Sequence, residues 1–143
     1  MPYRYLPDIA IADVAFEATG KTLEELFTAA GEATVNTMVD DLSAVAREKR
    51  LTVELTHTEI DLLLFDFLQE FIFFKDARQL LLQTEDISIS KHGAVYTLRA
   101  TLSGETLDAK KHALKADVKA VTLHRFDLSE TPDGYRATVV LDV

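Results

Sequence analysis

The sequence predicts an α+β fold, a mostly antiparallel β-sheet packed against two α-helices, in a single domain spanning residues 1–143. Two stretches carry apolar residues at helical spacing, separated by a short alternating segment. Beyond them the chain alternates in four further segments joined pairwise by turn signatures, which is the pattern of a β-meander rather than of a doubly wound sheet. The length of 143 residues is that of one domain and suffices for a core without disulfide support.

The elements follow in order. Over residues 10–18, Ala12, Val14, Phe16 and Ala18 would face one way and Asp13, Ala15 and Glu17 the other, as in a half-buried strand that Gly20 ends. Thr22 followed by Glu25 is a capping-box pattern, in which the hydroxyl accepts from a backbone amide three residues on and the carboxylate reaches back. Leu23, Leu26, Phe27, Ala30, Thr34 and Met38 then recur at helical spacing, with Glu24, Thr28 and Glu32 outside, until Asp40, Asp41 and Ser43 end the pattern. The charged residues 47–50 read as a loop. Leu51, Val53 and Leu55 alternate with Thr52, Glu54 and Thr56 in a second strand.

Thr58 and Asp61 open a second helix over about residues 59–76. It is apolar nearly all round, which belongs at the centre of a fold, covered on most sides. Residues 80–90 and 94–102 flank Lys91-His92-Gly93, a hairpin turn. Residues 118–128 and 135–143 flank Thr131-Pro132-Asp133-Gly134, where proline presets φ and glycine accepts a positive one. The basic piece between them, with Lys110, Lys111, His112 and Lys115, is a loop or a short helix.

Composition excludes several classes of function. Hydrophobic residues make up 48% and charged residues 27%, a globular balance. Twenty-four acidic against 15 basic residues give a net charge of −9. Phosphates are repelled over most of such a surface, so direct binding of nucleic acid or of an anionic membrane is not expected. A cation or a basic protein partner suits it.

Without cysteine there is no disulfide framework, thiolate zinc site or cysteine nucleophile. The opening residues Met1, Pro2, Tyr3 and Arg4 lack the apolar region of a signal peptide. Residues 62–74, the greasiest stretch, contain Asp66, Gln69 and Glu70 and fall short of the roughly 20 apolar residues that span a bilayer. The expected location is cytoplasmic. No glycine-rich phosphate loop, G-x-S-x-G elbow or H-E-x-x-H helix occurs, and His57, His92, His112 and His124 lack ligand spacing. Catalytic activity of the chain's own is therefore not expected. An independent hydrolase would need a constellation around His112 or His124 that the sequence does not assemble.

Three positions stand out. If the last strand is paired to its end, Asp142 and the α-carboxylate of Val143 lie close enough to repel unless a cation or basic side chain sits between them. Oxygen-only donors suit Ca²⁺, Mg²⁺ or Mn²⁺. A frayed, solvated terminus is the alternative. Asp13 interrupts an apolar run that includes Ile9, Ala10, Ile11, Ala12, Val14 and Phe16. It is either a carboxylate with a role or an outward-facing residue on the solvent side of a strand. Lys119, in Val118-Lys119-Ala120-Val121-Thr122-Leu123-His124, is an edge-strand lysine or a site residue.

Taken together these segments resemble the archease family. Asp13-Val14-Ala15 and Ala18-Thr19-Gly20-Lys21-Thr22-Leu23-Glu24-Glu25-Leu26-Phe27 are similar to the family's N-terminal signature, approximately T-A-D-I-x-x-x-x-x-G-x-[ST]-L-E-E-L-F. Asn36, Met38, Val39 and Asp40 resemble the end of its first helix, and Leu68, Gln69 and Glu70 the L-N-E of its second. The segment from Val118 to His124 is similar to V-K-A-V-T-Y-H, and Asp142-Val143 to the family's closing D-[IVL]. The matches come in the family's order and cover nearly the whole chain. Ala10-Ile11 depart from it, since the family usually carries His-Thr before Ala-Asp.

The resemblance implies an archease-like α+β domain that serves as a cofactor of the RtcB-type RNA ligase, which joins RNA ends in tRNA splicing with GTP and manganese. Such an accessory protein promotes guanylylation of the ligase and its multiple turnover. The resemblance also implies a metal site formed by Asp13 and Asp142, with Val143 as a third donor, and a functional lysine at Lys119. The implied cofactor is a divalent cation, Ca²⁺ first, with Mn²⁺ or Mg²⁺ as alternatives. A metal-independent, chaperone-like modulator of another RNA-processing enzyme is the second reading.

Overall fold

The chain orders its elements as β1 (Tyr3–Tyr5), β2 (Val14–Gly20), α1 (Leu23–Met38), β3 (Lys49–His57), α2 (Ile60–Arg78), β4 (Leu80–His92), β5 (Val95–Thr106), β6 (Ala120–Thr131) and β7 (Gly134–Asp142). The structure, a computed structural model, describes residues 2–7 and 13–143. Ala10-Ile11 and the start of the strand predicted over residues 10–18 lie outside the described residues.

The strands form two antiparallel sheets, one in the order β1-β2-β7-β6 and the other β3-β5-β4. Each helix packs against strands of both sheets, α1 on β2 and β4 and α2 on β6, β3 and β4. That placement explains why α2 is apolar nearly all round: Leu63, Leu64, Phe67, Leu68, Phe71 and Ile72 are all buried. Phe67 meets Phe27 of α1 at 5.8 Å and Phe71 at 5.1 Å between ring centroids, tying the two helices at the centre of the core. Among the described residues no helix is long and apolar enough to cross a membrane.

The capping box predicted for α1 is present. Thr22 Oγ1 accepts from the Glu25 amide at 3.1 Å, while the Glu25 carboxylate accepts from the amide of Lys21 at 2.7 Å. At the other end Asn36 donates from Nδ2 to the carbonyls of Val39 and Asp40, both at 3.0 Å, which turns the chain out of the helix. The helix α2 starts one residue later than predicted, with Glu59 at its cap and no side-chain capping bond. Its end is a left-handed residue, Gln79 (φ 55°), whose amide returns to the Lys75 carbonyl at 2.9 Å.

Residues 47–50, read as a loop from their charge, partly join β3, because Lys49 and Arg50 pair with Gly104 and Ser103 of β5. The charges find partners instead of leaving the sheet. Arg50 reaches Glu85 at 2.9 Å, and Arg47 donates to Ser103 and Gln83, each at 3.0 Å. An edge strand tolerates charge where a central one does not. The β4–β5 hairpin turns at Gly93 (φ 62°), slightly later than predicted, since His92 still pairs with Val95.

Gly104 is where β4 and β5 approach too closely for any side chain: a Cβ there would stand 1.7 Å from the Leu81 carbonyl oxygen. The Pro132-Asp133 turn closes β6 onto β7 as predicted, with Thr131 opposite Gly134. The basic piece before β6 forms no helix. It runs along the end of α1, with the Asp40 amide on the Ala113 carbonyl and the Lys115 amide on the Met38 carbonyl, each at 2.9 Å.

Candidate functional site

β2 and β7 run antiparallel with Val14 opposite Leu141. Asp13 is the residue before that pair on one strand and Asp142 the residue after it on the other. The two carboxylates, from opposite ends of the sequence, therefore belong to neighbouring strand ends at one end of the four-stranded sheet, on its two inner strands. Directly opposed residues in such a ladder hold their Cβ atoms about 4.5–5.5 Å apart. Both aspartates and Val143 are half-buried, and the Val143 side chain packs on the core.

The third strand end completes the arrangement. Ala120 of β6 pairs with Asp142, and the Lys119 amide donates to the Asp142 carbonyl at 2.8 Å. The Lys119 side chain is exposed. Asp13 lines a cleft of about 470 Å³ together with Tyr5, Thr37 and Lys115, whose ammonium lies 5.8 Å from the Tyr5 ring centroid. Two carboxylates side by side repel; Asp13 shares its cleft with one lysine, Lys115, whereas the Lys119 side chain lines a separate groove beside α2.

Among the described residues no group of three or more His, Cys, Asp or Glu side chains converges as a ready metal cluster. The donors that do lie together are all oxygen. Asp13 and Asp142, at neighbouring strand ends, are oxygen donors of the kind that suits a hard ion such as Ca²⁺, Mn²⁺ or Mg²⁺.

The position of Lys119 depends on a contact that sequence reasoning missed. Lys75 of α2 is buried, and its ammonium bonds to Asp117, to the Val118 carbonyl at 2.7 Å and to Asp76 at 2.9 Å. Burial opposes its charge, but the bonds to Asp117 and Asp76 prevail and raise its proton affinity. One turn and a half earlier, Gln69 accepts the Val121 amide on Oε1 at 2.9 Å. The helix thus grips the entry of β6 at two points on either side of Lys119. The sequence signal for this was Lys75 itself, a lone lysine at the end of an apolar stretch.

A second polar centre was also missed. Glu105 of β5, nearly buried, accepts from Lys111 Nζ at 2.8 Å, from the Ala46 amide at 2.6 Å and from His112 Nε2 at 3.1 Å. Those donors lower its carboxyl to about 2, the Lys111 bond contributing most. The Asp108 amide donates to His112 Nδ1 at 2.9 Å, so the imidazole hydrogen belongs on Nε2, facing Glu105. His112 is therefore a structural clamp. His124 is exposed, on the stretch of β6 where the register slips between Thr122 and Asp127 and Arg125 takes a positive φ of 54°.

The residues that carry the family resemblance hold this framework. Asn36 closes α1, Gln69 fastens β6, and Asp13, Lys119 and Asp142 meet at one end of the sheet. The Archease protein family (MTH1598/TM1083) matches residues 3–143. A relative from Thermococcus gammatolerans, named Protein archease, is 36% identical over 123 residues, 86% of either chain. The solution structure of Methanobacterium thermoautotrophicum protein 1598 matches with a TM-score of 0.85 at 29% identity, over 99% of both chains. The crystal structure of an archease from Thermotoga maritima, described as a possible chaperone, shares the fold at a TM-score of 0.62 and 18% identity, over 94% of this chain and 93% of that one. With its signature residues in order along the chain, and with the same two-helix, two-sheet architecture, this protein belongs to the archease family.

Proposed function

We propose that this chain is an accessory factor of an RtcB-type RNA ligase in tRNA splicing and RNA repair, promoting ligase guanylylation and multiple turnover without being a catalyst itself. One observation carries the reading. The register of β2 on β7 puts Asp13 beside Asp142, and the next strand sets Lys119 against the same end. Membership of the archease family supports it, and so does the surplus of acid, which favours docking on a basic, RNA-binding partner in the cytoplasm.

Asp13 and Asp142 would hold a divalent cation, Ca²⁺ first, then Mn²⁺ or Mg²⁺, with the Val143 carboxylate as a further donor. When bound, such an ion supplies the positive charge that phosphoryl transfer requires near a nucleotide. The chain's own part is positional. The sheet sets the two carboxylates at one end, α2 grips the start of β6 through Lys75 and Gln69, and Lys119 offers an exposed ammonium to a phosphate or to a partner's carboxylate.

The test is multiple-turnover RNA ligation by an RtcB-type ligase with the wild-type chain, Asp13→Ala and Asp142→Ala. At least a tenfold loss of stimulation by each variant is expected, with folding intact by circular dichroism. Undiminished stimulation by both removes the site. The second reading is a metal-independent, chaperone-like modulator of another RNA-processing enzyme, which would give no stimulation of this ligase with or without added divalent ions; the Thermotoga maritima protein is described as a possible chaperone.

A further inference from the structure

One stripe of α2 remains uncovered. Phe73 is 57% exposed although it belongs to the most apolar helix of the chain. It stands in a groove of about 580 Å³ with Leu55 of β3, Asp66, Glu70 and Asp76 of α2, and Lys119. Asp66, Glu70 and Phe73 follow at intervals of four and three, so the helix presents them along one face. Among the described residues neither Asp66 nor Glu70 takes part in an ion pair. Burial, with the repulsion of Asp66 added, raises the proton affinity of the Glu70 carboxyl. A cation placed in the groove relieves both.

We propose that this groove docks an arginine-bearing segment of a protein partner, one that sets guanidinium groups on Asp66, Glu70 and Asp76 and an apolar side chain or a guanidinium face on Phe73. Arginine answers the unpaired carboxylates and the aromatic ring of the groove together. Its planar fork pairs with carboxylates in two parallel bonds, and its face stacks on an aromatic ring. A nucleic acid is repelled by the same carboxylates. A second copy of the chain, joined by a two-fold axis, would bring these carboxylates against themselves.

The groove ends at Lys119, whose amide bonds to Asp142, so a segment seated in it is held against the Asp13–Asp142 end of the sheet. The inference rests on the accessory-protein reading for the identity of the partner, but not for the chemistry of the groove.

The experiment has two arms. In the first, amide resonances of the ¹⁵N-labelled chain are followed while a hexapeptide of alternating arginine and leucine is added, with a hexaglutamate peptide as control. Shifts that saturate together at Asp66, Glu70, Phe73 and Asp76 are expected, and Phe73→Ser or Glu70→Arg weakens the binding at least fivefold without changing the melting temperature. Shifts centred instead on the acidic cleft of Glu24, Glu25 and Glu32, or unchanged affinity in both variants, overturn the proposal.

In the second arm, calorimetry measures binding of the chain to an RtcB-type ligase separately from stimulated ligation. Phe73→Ser weakens binding at least tenfold, whereas Asp13→Ala binds as the wild type does and fails to stimulate. A wild-type chain that binds the peptide but not the ligase refutes the ligase reading and leaves the groove standing. Ligase binding unaffected by Phe73→Ser and Glu70→Arg refutes the groove and leaves the ligase reading standing.

Discussion

The backbone amide of Lys119 donates to the carbonyl of Asp142 at 2.8 Å. This bond lies just outside the regular part of β6, where the chain comes off its anchor on Lys75 and enters the sheet beside β7. It ties the backbone of Lys119, the exposed lysine of the Val118–His124 motif, to the strand end that carries the second candidate ligand.

Because Lys119 projects into solvent, Lys119→Ala should fold like the wild type. It is expected to lower stimulated ligation at least tenfold while leaving the Ca²⁺- or Mn²⁺-induced rise in melting temperature intact. Asp13→Ala combined with Asp142→Ala is expected to abolish that rise. A native-state ligand at a hundred times its Kd stabilises by about 2.7 kcal/mol, a shift of several degrees. Differential scanning fluorimetry with graded metal separates the two roles, and a metal shift lost in Lys119→Ala would contradict the division.

Lys75→Met keeps the volume of a buried side chain but leaves the Val118 carbonyl without its donor and Asp117 without its partner. Asp117 is largely exposed, so its loss is screened by water, and the cost is that of one buried hydrogen bond, about 1–3 kcal/mol. Since the bonds to Asp117 and Asp76 raise the lysine above its ordinary 10.5, the stabilisation is present from neutral pH up to that value and is lost as pH climbs through the raised one. Urea midpoints at pH 7 and pH 11 check both statements: the gap between wild type and variant should narrow at the higher pH.

Glu105 governs the acid limb. Its carboxyl sits near 2 in the folded chain against an ordinary 4.5, so it contributes stability above 4.5 that drains away as pH falls toward 2. Glu105→Gln should be less stable than the wild type at pH 7 and lose less on acidification. Chemical denaturation at pH 7, 4 and 2.5 reads the difference. Equal slopes for both proteins would mean that the clamp with Lys111, Ala46 and His112 adds nothing.

Gly104→Ala forces a methyl group onto the Leu81 carbonyl, backbone against backbone, where no flexible side chain can yield. The strands must separate, at a cost of about 3 kcal/mol or more, the upper end of overpacking penalties. Thermal melting should show it, and normal stability would mean that β4 and β5 accommodate the methyl by a shift of register.

Much of the fold was legible because it rests on local chemistry. The Thr22–Glu25 box, the spacing from Leu23 to Met38, and the Pro132-Asp133 turn each act within a few residues, and each forms as expected. The loop expected over residues 47–50 shows the opposite case. Residues 47–50 are exposed as their charge implies, yet Lys49 and Arg50 join β3, and Arg47 and Arg50 are held by Ser103, Gln83 and Glu85 from strands far along the chain. Nothing near them in sequence names those partners. The same holds for the Glu105–His112 clamp and for the grip of Lys75 on Val118.

Hydrophobic periodicity and turn residues thus determined which segments became helices and strands, since those preferences are set by neighbours one turn or one pleat away. The family resemblance made Asp13, Lys119 and Asp142 the candidate site residues, and the strand register brings their backbones to one end of the sheet. Only the tertiary structure decided that the β-structure divides into two sheets, that β7 enters between β2 and β6, and that one face of α2 stays open around Phe73. Strand pairing and burial are settled by which surfaces fit together across the whole chain, and that information is spread over every residue in contact rather than written beside any one of them.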